Sequence, residues 1–437
     1  MPAEGGLRFA VRALAHKNYR LFFAGQSVSL IGTWLTRVAT SWLVYRLTGS
    51  AAALGIIGFC GLIPTFVLSP VAGVFVDRHD RHRVIVVTQV LSMLQSFVLA
   101  ALALTHVITV VEVACLQLFQ GVVNAFDTPA RQSFVVEMIE DRKDLPNAIA
   151  LNSSMFNGAR LIGPSIGGVL IALVGEGGCF LLDGVSYLAV IASLLAMTVK
   201  RIPRVPSVTK PLEELREGFR YVTNSQVIRS MLSLLGIVSL VGMPFTVLMP
   251  LIASERLHGG PHTLGFLMAA TGLGALGGAI RLAARRTVLG LGRELTIMSV
   301  LFGLGLTAFA ASNTEWLALP LLVVVGFAMM LQTAATNTIL QTIVEERMRG
   351  RVMAFYTMAV MGTAPFGSLI SGVLASRIGA PWTIGMSGVV VAIAGGFYYS
   401  QLPKLRAELR PIYIKLGILP AVAEGLQSTE DTATPAA

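Results

Sequence analysis

Residues 52–83, AALGIIGFCGLIPTFVLSPVAGVFVDRHDRHR, decide the fold of this chain. Residues 52–76 are almost entirely apolar, and a helix of about 25 residues crosses the roughly 30 Å hydrocarbon core of a bilayer at 1.5 Å per residue. The run then ends in a loop with three arginines. Backbone amides in lipid need hydrogen-bond partners within the protein, so only helices and closed barrels can span. The run shows no strict alternation of apolar and polar residues, as a barrel strand would. The stretch therefore predicts a membrane-spanning helix rather than a barrel strand.

Similar apolar runs recur along almost the whole chain. They predict twelve spans at residues 20–46, 52–76, 84–105, 108–128, 149–174, 178–199, 229–252, 263–284, 294–311, 316–340, 352–376 and 380–402. With 54% hydrophobic and 13% charged residues, the composition is far from the soluble average of about 25% charged. We therefore expect an all-α membrane protein embedded in a lipid bilayer.

Positive charge is concentrated in every second gap between the predicted spans. Of the 33 Lys and Arg residues, 28 lie in gaps on the same side as the N-terminus. Cytoplasmic loops carry such an excess, so we expect a multi-pass protein of the cell membrane with both termini in the cytoplasm. Membrane topology then explains the net charge of +10. We expect no nucleic-acid partner, because the basic residues are dispersed over short loops.

The chain divides into two related halves. Glycines recur 204 or 205 residues apart, in the pairs Gly73 and Gly278, Gly121 and Gly326, and Gly163 and Gly367. We predict an N-terminal six-helix bundle (1–199), a cytoplasmic linker with an amphipathic helix (200–228), a C-terminal six-helix bundle (229–403) and a cytoplasmic, partly disordered tail (404–437). The linker could also be a merely solvated connector. Parallel repeats of this kind typify alternating-access transporters.

The loop after the second span carries a family resemblance. GVFVDRHDRHRV, from Gly73 to Val84, resembles the signature loop of the major facilitator superfamily, although the family usually has a glycine at the position of Asp80 and a basic residue at that of His82. The segments HKNYRLFFAGQSVSLIGTW, GVVNAFDTPARQSF and DLPNAIALN resemble the branch that includes bacterial siderophore and macrolide exporters. The resemblance implies the major facilitator fold, two pseudo-symmetric six-helix bundles.

The same resemblance implies a latch at the cytoplasmic ends of the bundles. Asp77 lies at the C-terminal end of a helix, where the helix dipole is unfavourable for a carboxylate, so it needs a partner. The family places that partner at the start of span 11, near Gly350 and Arg351. The predicted latch motif comprises Gly73, Asp77, Arg78, Arg81 and Arg83. Membrane anchoring alone would also explain its arginines.

A second motif lies in span 5. GARLIGPSIGGVL resembles the antiporter motif of the superfamily and matches it at Gly158, Gly163, Pro164, Gly167 and Gly168. Its glycines make a smooth helix face, and the proline removes one amide hydrogen bond and bends the helix. This arrangement would allow the bundles to rock against each other. Ordinary tight packing of helices is the alternative.

Ionisable residues inside spans are candidates for binding cargo or coupling ions, because each costs at least about 2.5 kcal/mol to insert. Arg160 is our preferred residue for anionic or polar cargo. Trp34 and Arg37, about one helical turn apart, are also candidates, because a cation stacked on the indole could serve an aromatic ligand or packing equally well. Arg37 and Asp183 could instead form a silent ion pair. Asp127 could instead cap a helix that starts near Pro129. The remaining polar candidates are Asn124, Gln332 and Asn337.

We find no pattern that predicts catalysis. The sequence lacks the zinc-protease motif, the nucleophile elbow and the phosphate loop, and its three cysteines are scattered, so we expect no enzyme, no cofactor and no metal. We predict a monomeric secondary active transporter that exports a small amphipathic compound, such as a siderophore, macrolide or other drug, in exchange for H+. Gln117 stands where many drug antiporters have an arginine. A proton-coupled importer and a non-transporting receptor or scaffold are the alternatives.

Overall fold

The computed structural model describes residues 11–198, 211–285 and 287–418, which are almost wholly helical and contain no strand. The helices of the first half are α1 (Lys17–Thr48), α2 (Ala51–Arg78), α3 (Arg81–Leu104), α4 (Val110–Met138) and the two limbs of Leu145–Leu195, α5 (145–174) and α6 (176–195). Those of the second half are α7 (Pro211–Asn224), α8 (Gln226–Arg256), α9 (Pro261–Ala283), α10 (Leu291–Ala311), α11 (Glu315–Ile343), α12 (Glu346–Ile378) and α13 (Ala380–Lys415).

All twelve predicted spans correspond to helices in the described part of the chain. Ten helical segments there are long and apolar enough to cross a membrane. One of these segments has 54 residues and contains both α5 and α6. The two helices are separated by a break at Gly175, where φ is 71°. The remaining predicted span corresponds to α1, which has 32 residues and is not among the ten segments. Its buried polar residues, such as Gln26 and Ser29, lower its hydropathy. The predicted all-α membrane fold is confirmed.

The two halves repeat one packing order. In the first half, neighbouring helices follow the order α2, α4, α3, α6, α1, α5. In the second half the order is α9, α11, α10, α13, α8, α12, in which each label is seven higher. The linker helix α7 accounts for the offset of seven. The molecule therefore consists of two pseudo-symmetric six-helix bundles.

Two of the three glycine pairs of the sequence repeat make equivalent contacts in both bundles. A Cβ on Gly121 of α4 would lie 2.7 Å from a backbone oxygen of α2, and a Cβ on Gly326 of α11 would meet the backbone of α9 in the same way. Gly163 of α5 lies against α1, and Gly367 of α12 lies against α8. Small residues let membrane helices approach this closely. These two pairs of the repeat detected in the sequence therefore mark tight helix crossings.

The bundles touch each other only along part of their length. At the end opposite the basic loops, which we call the outer end, α2 meets α12 where Gly55 faces Gly372, and α5 meets α9 where Gly168 faces Gly265. A Cβ on Gly55 would lie 2.8 Å from the Gly372 Cα, and one on Gly168 would lie 2.9 Å from the Gly265 Cα. The bundles are therefore closed at the outer end.

At the end that carries the basic loops, which we call the basic end, the bundles are apart. Gly73 of α2, Gly158 of α5 and Gly350 of α12 have no neighbouring heavy atom within 4 Å of an added Cβ. At about mid-length α2 still contacts α12, where a Cβ on Gly362 would lie 2.8 Å from the ring of Phe66. The space between the bundles therefore opens towards the basic end.

Several helices extend beyond the predicted spans. The fourth span was expected to end at residue 128, but α4 continues to Met138; the last was expected to end at 402, but α13 continues to Lys415. Hydropathy marks only the lipid-embedded part of a helix, and both extensions mix charged residues with apolar ones. Residues 199–210 and 419–437, where part of the linker and most of the tail are predicted, lie outside the described residues.

Candidate functional site

Two arginines share one tryptophan between α1 and α5. The guanidinium carbon of Arg37 lies 4.6 Å from the ring centroid of Trp34, and that of Arg160 lies 5.9 Å from the same ring. A cation within about 6 Å of an indole centroid is attracted by the ring. Gly163 allows the contact, because a Cβ there would lie 2.5 Å from the Trp34 Cβ. Three predicted cargo residues are thus brought together.

Neither arginine has a carboxylate partner in the described part of the chain. No Asp or Glu oxygen of the described residues lies within 4 Å of the Arg37 or Arg160 guanidinium group. The predicted ion pair between Arg37 and Asp183 is therefore absent, because Asp183 faces the other side of α1. An uncompensated cation inside a membrane protein is costly, so two adjacent ones favour the binding of an anion.

The arginine pair faces the gap between the bundles. The Arg37 side chain is exposed, and the Arg160 side chain is partly exposed. Arg160 also lies where α5 crosses α9 of the second bundle, since its carbonyl oxygen is 3.1 Å from the position of a Cβ on Gly272. The arginine pair therefore lies beside the crossing of α5 with the second bundle.

An aromatic surface adjoins the two positive charges. The rings of Trp34 and Phe156 meet edge to face, with centroids 6.0 Å apart and an interplanar angle of 68°. Phe156 is exposed on α5, one helical turn before Arg160. The sequence did not single out Phe156, because an exposed phenylalanine is ordinary in a membrane helix. Together these side chains offer anion contacts beside an apolar surface, as an amphipathic anion requires.

Asp183 is buried on the side of α1 that faces α6. Its side chain is 1% exposed, and its Oδ2 accepts hydrogen bonds from Thr36 of α1 at 2.8 Å and from Ser96 of α3 at 2.9 Å. Its Oδ1 has no hydrogen-bond partner. The carboxyl group is therefore held by hydroxyl groups rather than by a cation.

Asp127 lies inside α4 and not at a helix start. The interpretation as a helix cap is wrong, because α4 runs without interruption through Pro129, whose missing amide bond does not end the helix. Asp127 is 2% exposed, forms an ion pair with Arg131 one turn later, and accepts hydrogen bonds from Thr88 at 2.8 Å and Gln89 at 2.9 Å. Its negative charge is fully partnered.

The other predicted polar residues do not join the arginine pair. Asn124 accepts a hydrogen bond from Gln120 at 3.2 Å inside the first bundle. In the second bundle Gln332 is fully buried, whereas Asn337 pairs with Gln341 at 2.5 Å. Asn337 lines a recess of about 470 Å³ with Leu282, Ala334, Thr338, Gln341, Thr342 and Arg349. The recess lies near the basic end, away from Arg37 and Arg160.

The signature loop forms its own ion-pair cluster. Arg81 pairs with Asp77 at 3.3 Å and with Glu137 of α4 at 2.9 Å. Asp77 remains 71% exposed and makes no ion pair with Arg351. The role of Asp77 as a latch stays a prediction, because the basic ends that it would join are apart here. Asp80, unusual for the family, caps α3 by accepting the amide of Arg83 at 3.3 Å.

The predicted latch partner Arg351 is bound to the linker helix instead. The Glu217 carboxylate of α7 forms ion pairs with Arg347 at 2.8 Å and with Arg351 at 2.6 Å. These contacts hold α7 against the basic end of α12. The hydrogen bond from Arg347 lowers the pKa of the exposed Glu217 carboxyl, with a smaller contribution from the charge of Arg351. This pairing could not be predicted from sequence, because the residues are 130 or more positions apart.

The antiporter-like motif packs on both bundles. Gly163 and Gly167 lie against α1, whereas Gly168 lies against α9 of the other bundle. Pro164 is buried inside α5, and Gly158 has no close neighbour. Four of the five motif residues therefore line helix contacts. The contact of α5 with α1 is within the first bundle, and that of α5 with α9 is between the bundles.

Comparison with known proteins identifies the family. A family model described as transmembrane secretion effector matches residues 9–415. The chain belongs to this family. Relatives of the secretion effector include the Staphyloferrin A transporter of Staphylococcus aureus, 26% identical over 89% of this chain and 98% of that protein. The multidrug efflux pump Tap of Mycolicibacterium fortuitum is 29% identical over 80% of this chain and 87% of its own.

A third relative of the secretion effector is Macrolide efflux protein A of Streptococcus pyogenes, 23% identical over 86% of this chain and 95% of that protein. Among solved structures, a bacterial homologue of the lysosomal transporter Spinster, inward-facing and unoccupied, gives a TM-score of 0.67 at 15% identity, covering 90% of this chain and 97% of that one. The POT family transporter PepTSo gives a TM-score of 0.69 at 11% identity, covering 90% of this chain and 99% of that one. These likenesses confirm the transporter fold.

Proposed function

We propose that this secretion effector exports a small amphipathic anion through the space between its bundles. The observation that carries the proposal is the pair of unpartnered arginines on Trp34, beside the exposed ring of Phe156. Two positive charges attract a carboxylate or another anionic group and repel a cationic drug. Within the predicted range of siderophores, macrolides and other drugs, the geometry favours acidic siderophore-type compounds.

The relatives support export as the direction. The names of two of them state efflux of drugs or macrolides, and a third is named for a siderophore. The antiporter-like motif of α5 also favours exchange over uptake. We therefore propose that the cargo leaves in exchange for protons, with the chain acting as a monomer. An inside-negative membrane potential additionally favours the outward movement of an anion.

The orientation follows from the charge pattern. The basic end faces the cytoplasm, because positively charged loops are retained there, and both termini lie on that side. In this orientation the structure is open to the cytoplasm and closed to the outside. It is thus the state that collects cargo from the cell interior, and the predicted latch at Asp77 would close the basic end in the opposite state.

Transport by the purified protein tests the proposal. The protein is reconstituted in liposomes with an imposed pH gradient and a panel of carboxylate siderophores, catecholate siderophores, macrolides and lipophilic cations. We expect gradient-dependent movement of the acidic compounds, and a loss of at least tenfold in the Arg160→Gln variant. The matched control is Arg377→Gln, an exposed arginine at the outer end of α12.

Other results would overturn the proposal. Movement of cations but not of anions would contradict the assigned role of the arginines. Movement of cargo in the same direction as protons would indicate an importer. No movement of any compound, with a cellular phenotype that survives Arg160→Gln, would indicate a non-transporting receptor or scaffold.

A further inference from the structure

One carboxyl group in the core of the first bundle has no charged partner. Asp183 of α6 is 1% exposed, and no cationic group of the described residues lies within 4 Å of its carboxylate. Its depth is about 12 Å along the helix axis from the bend at Gly175. The position is inside the membrane and remote from both ends of the bundle.

Two other buried carboxylates of this bundle have cationic partners. Asp127 is paired with Arg131, and Glu176, on the same limb as Asp183, is paired with Arg46 at 2.8 Å. An ionised carboxylate without a counter-ion pays a large desolvation cost, whereas a protonated one does not. Of the three carboxyl groups, Asp183 is the one whose surroundings favour gaining and losing a proton.

The groups that hold Asp183 suit both protonation states. The hydroxyls of Thr36 and Ser96 now donate to Oδ2 at 2.8 and 2.9 Å, and a hydroxyl can also accept a hydrogen bond from a protonated acid. The unpartnered Oδ1 offers a second position for the proton.

Few other ionisable groups surround the Asp183 carboxyl. On its own helix, Cys179 and Tyr187 lie one turn to either side. On α3 the facing side chains, Gln95 and Ser96, are not ionisable, and on α1 the side chain of Arg37 points to Trp34 instead.

A stripe of polar residues on α3 connects Asp183 to the basic end. Thr88, Gln89, Ser92, Gln95 and Ser96 are all at most 5% exposed, and their spacing places them on one face of the helix. The Ser96 end of the stripe contacts Asp183, and the Thr88 end contacts Asp127. Asp127 leads to the partly exposed Arg131, so polar groups follow one another from the bundle core to the basic end.

Helix α1 carries the contacts of the acid and of the cargo site on opposite faces. Thr36 and Gly32 face Asp183, whereas Trp34 and Arg37 face the gap between the bundles. The same helix also touches the Met249–Leu251 segment of α8 in the second bundle. Asp183 is thus separated from the arginine pair and from the bundle interface only by the width of α1.

We infer that Asp183 is the proton-binding site that drives this transporter, and that the α3 stripe is the route by which the proton leaves at the basic end. The inference rests on the proposed proton-coupled export. A proton enters from the outer side and binds a carboxylate oxygen of Asp183. It stays there while the bundles return to the state open at the basic end, and it then passes along the stripe to water. No covalent bond other than O–H forms or breaks.

The burial of Asp183 sets the direction of the pH effect. The state open at the basic end holds this carboxyl without a cation, so it binds the proton more tightly than a state in which the group is hydrated or paired. By linkage, lower pH then favours the open basic end, with a change of up to tenfold per pH unit in the ratio of the two states for one proton.

Distance measurements at variable pH test the inference without cargo. Spin labels are placed at the basic ends of α2 and α12 in the full-length protein, in lipid nanodiscs, with the native cysteines replaced. We expect the fraction with a long distance to rise as the pH falls. Asp183→Asn should abolish this dependence and stay at the low-pH distribution, whereas Glu176→Gln should retain it. Unchanged pH dependence in Asp183→Asn would overturn the inference.

Two donor variants cover the case in which Asp183→Asn fails to fold. Thr36→Val and Ser96→Ala each remove a hydrogen bond to the ionised carboxylate, so the midpoint of the transition should move to higher pH. An unmoved midpoint in both variants would overturn the inference. Proton-driven export that persists in Asp183→Asn would contradict this site alone, whereas a normal pH response without any transport would contradict the proposed function alone.

Discussion

Substitution of Gly55 by alanine should push the outer end of the transporter open. The added Cβ would lie 2.7 Å from the Ser368 carbonyl oxygen and 2.8 Å from the Gly372 Cα, both on the backbone of α12. Ordinary carbon contacts are 3.4 Å or more, and a backbone cannot rotate away as a side chain can. The helices must therefore separate by about half an ångström or more wherever α2 and α12 touch.

The expected size of this effect follows from overpacking energies. Inserting a methyl group into a tight contact costs about 1–3 kcal/mol. Because this contact requires a closed outer end, the cost falls on the state that is open at the basic end. At 1.4 kcal/mol per factor of ten, Gly55→Ala should shift the ratio of the two states by about 5- to 150-fold. The higher helix propensity of alanine acts on both states and cancels.

Spin-label distances across both ends of the bundles measure the shift. In Gly55→Ala we expect the basic-end distance to shorten and the outer-end distance to lengthen in the same molecules. Gly396→Ala on α13 is the matched control, because its added Cβ has no neighbour within 4 Å. If both distance distributions of Gly55→Ala match those of the control, the contact does not hold the outer end closed.

Three further substitutions probe the charged groups. Arg131→Ala leaves the buried Asp127 without its cation and should lower stability by about 3 kcal/mol in thermal unfolding, whereas an effect below 1 kcal/mol would show that the hydroxyl and amide donors suffice. Glu217→Gln should detach α7 from α12, seen as faster hydrogen exchange in α7. In the native protein the same detachment should begin only when the pH falls through the lowered pKa of Glu217, since a carboxyl with a depressed pKa stabilises the contact while it is ionised and loses that contribution on protonation. Asp77→Asn should increase the fraction open at the basic end, and an unchanged or smaller fraction would argue against the latch.

Much of the fold could be predicted because the bilayer imposes strong rules. Apolar length located the spans, and the alternation of basic gaps gave an even count. The repeated glycines indicated two bundles, and Gly121 and Gly326 do make equivalent helix crossings. Helix ends were less predictable, since α4 and α13 continue past the predicted spans with mixed charged and apolar residues, whose mean hydropathy carries no span signal.

The candidate site was only partly predictable. Hydropathy flagged Arg37, Arg160 and Asp183 one by one as charges within spans, but it could not say which of them would meet. The pairing of α1 with α5 decides that, and it places Arg37 and Arg160 on one side of α1 and Asp183 on the other. The partners of Asp183 are hydroxyl residues, which are common in helices and carry no sequence signal.

The central claim is that one pocket beside the arginine pair opens to one side of the membrane at a time. A cysteine at position 156, in a background without the three native cysteines, reports on that pocket through its reaction with membrane-impermeant thiol reagents. We predict fast labelling from the cytoplasmic side in everted vesicles and slow labelling from outside in whole cells. We also predict that Gly55→Ala reverses this preference. Equal labelling from both sides, unaltered by Gly55→Ala, would show that the pocket does not alternate between the two sides.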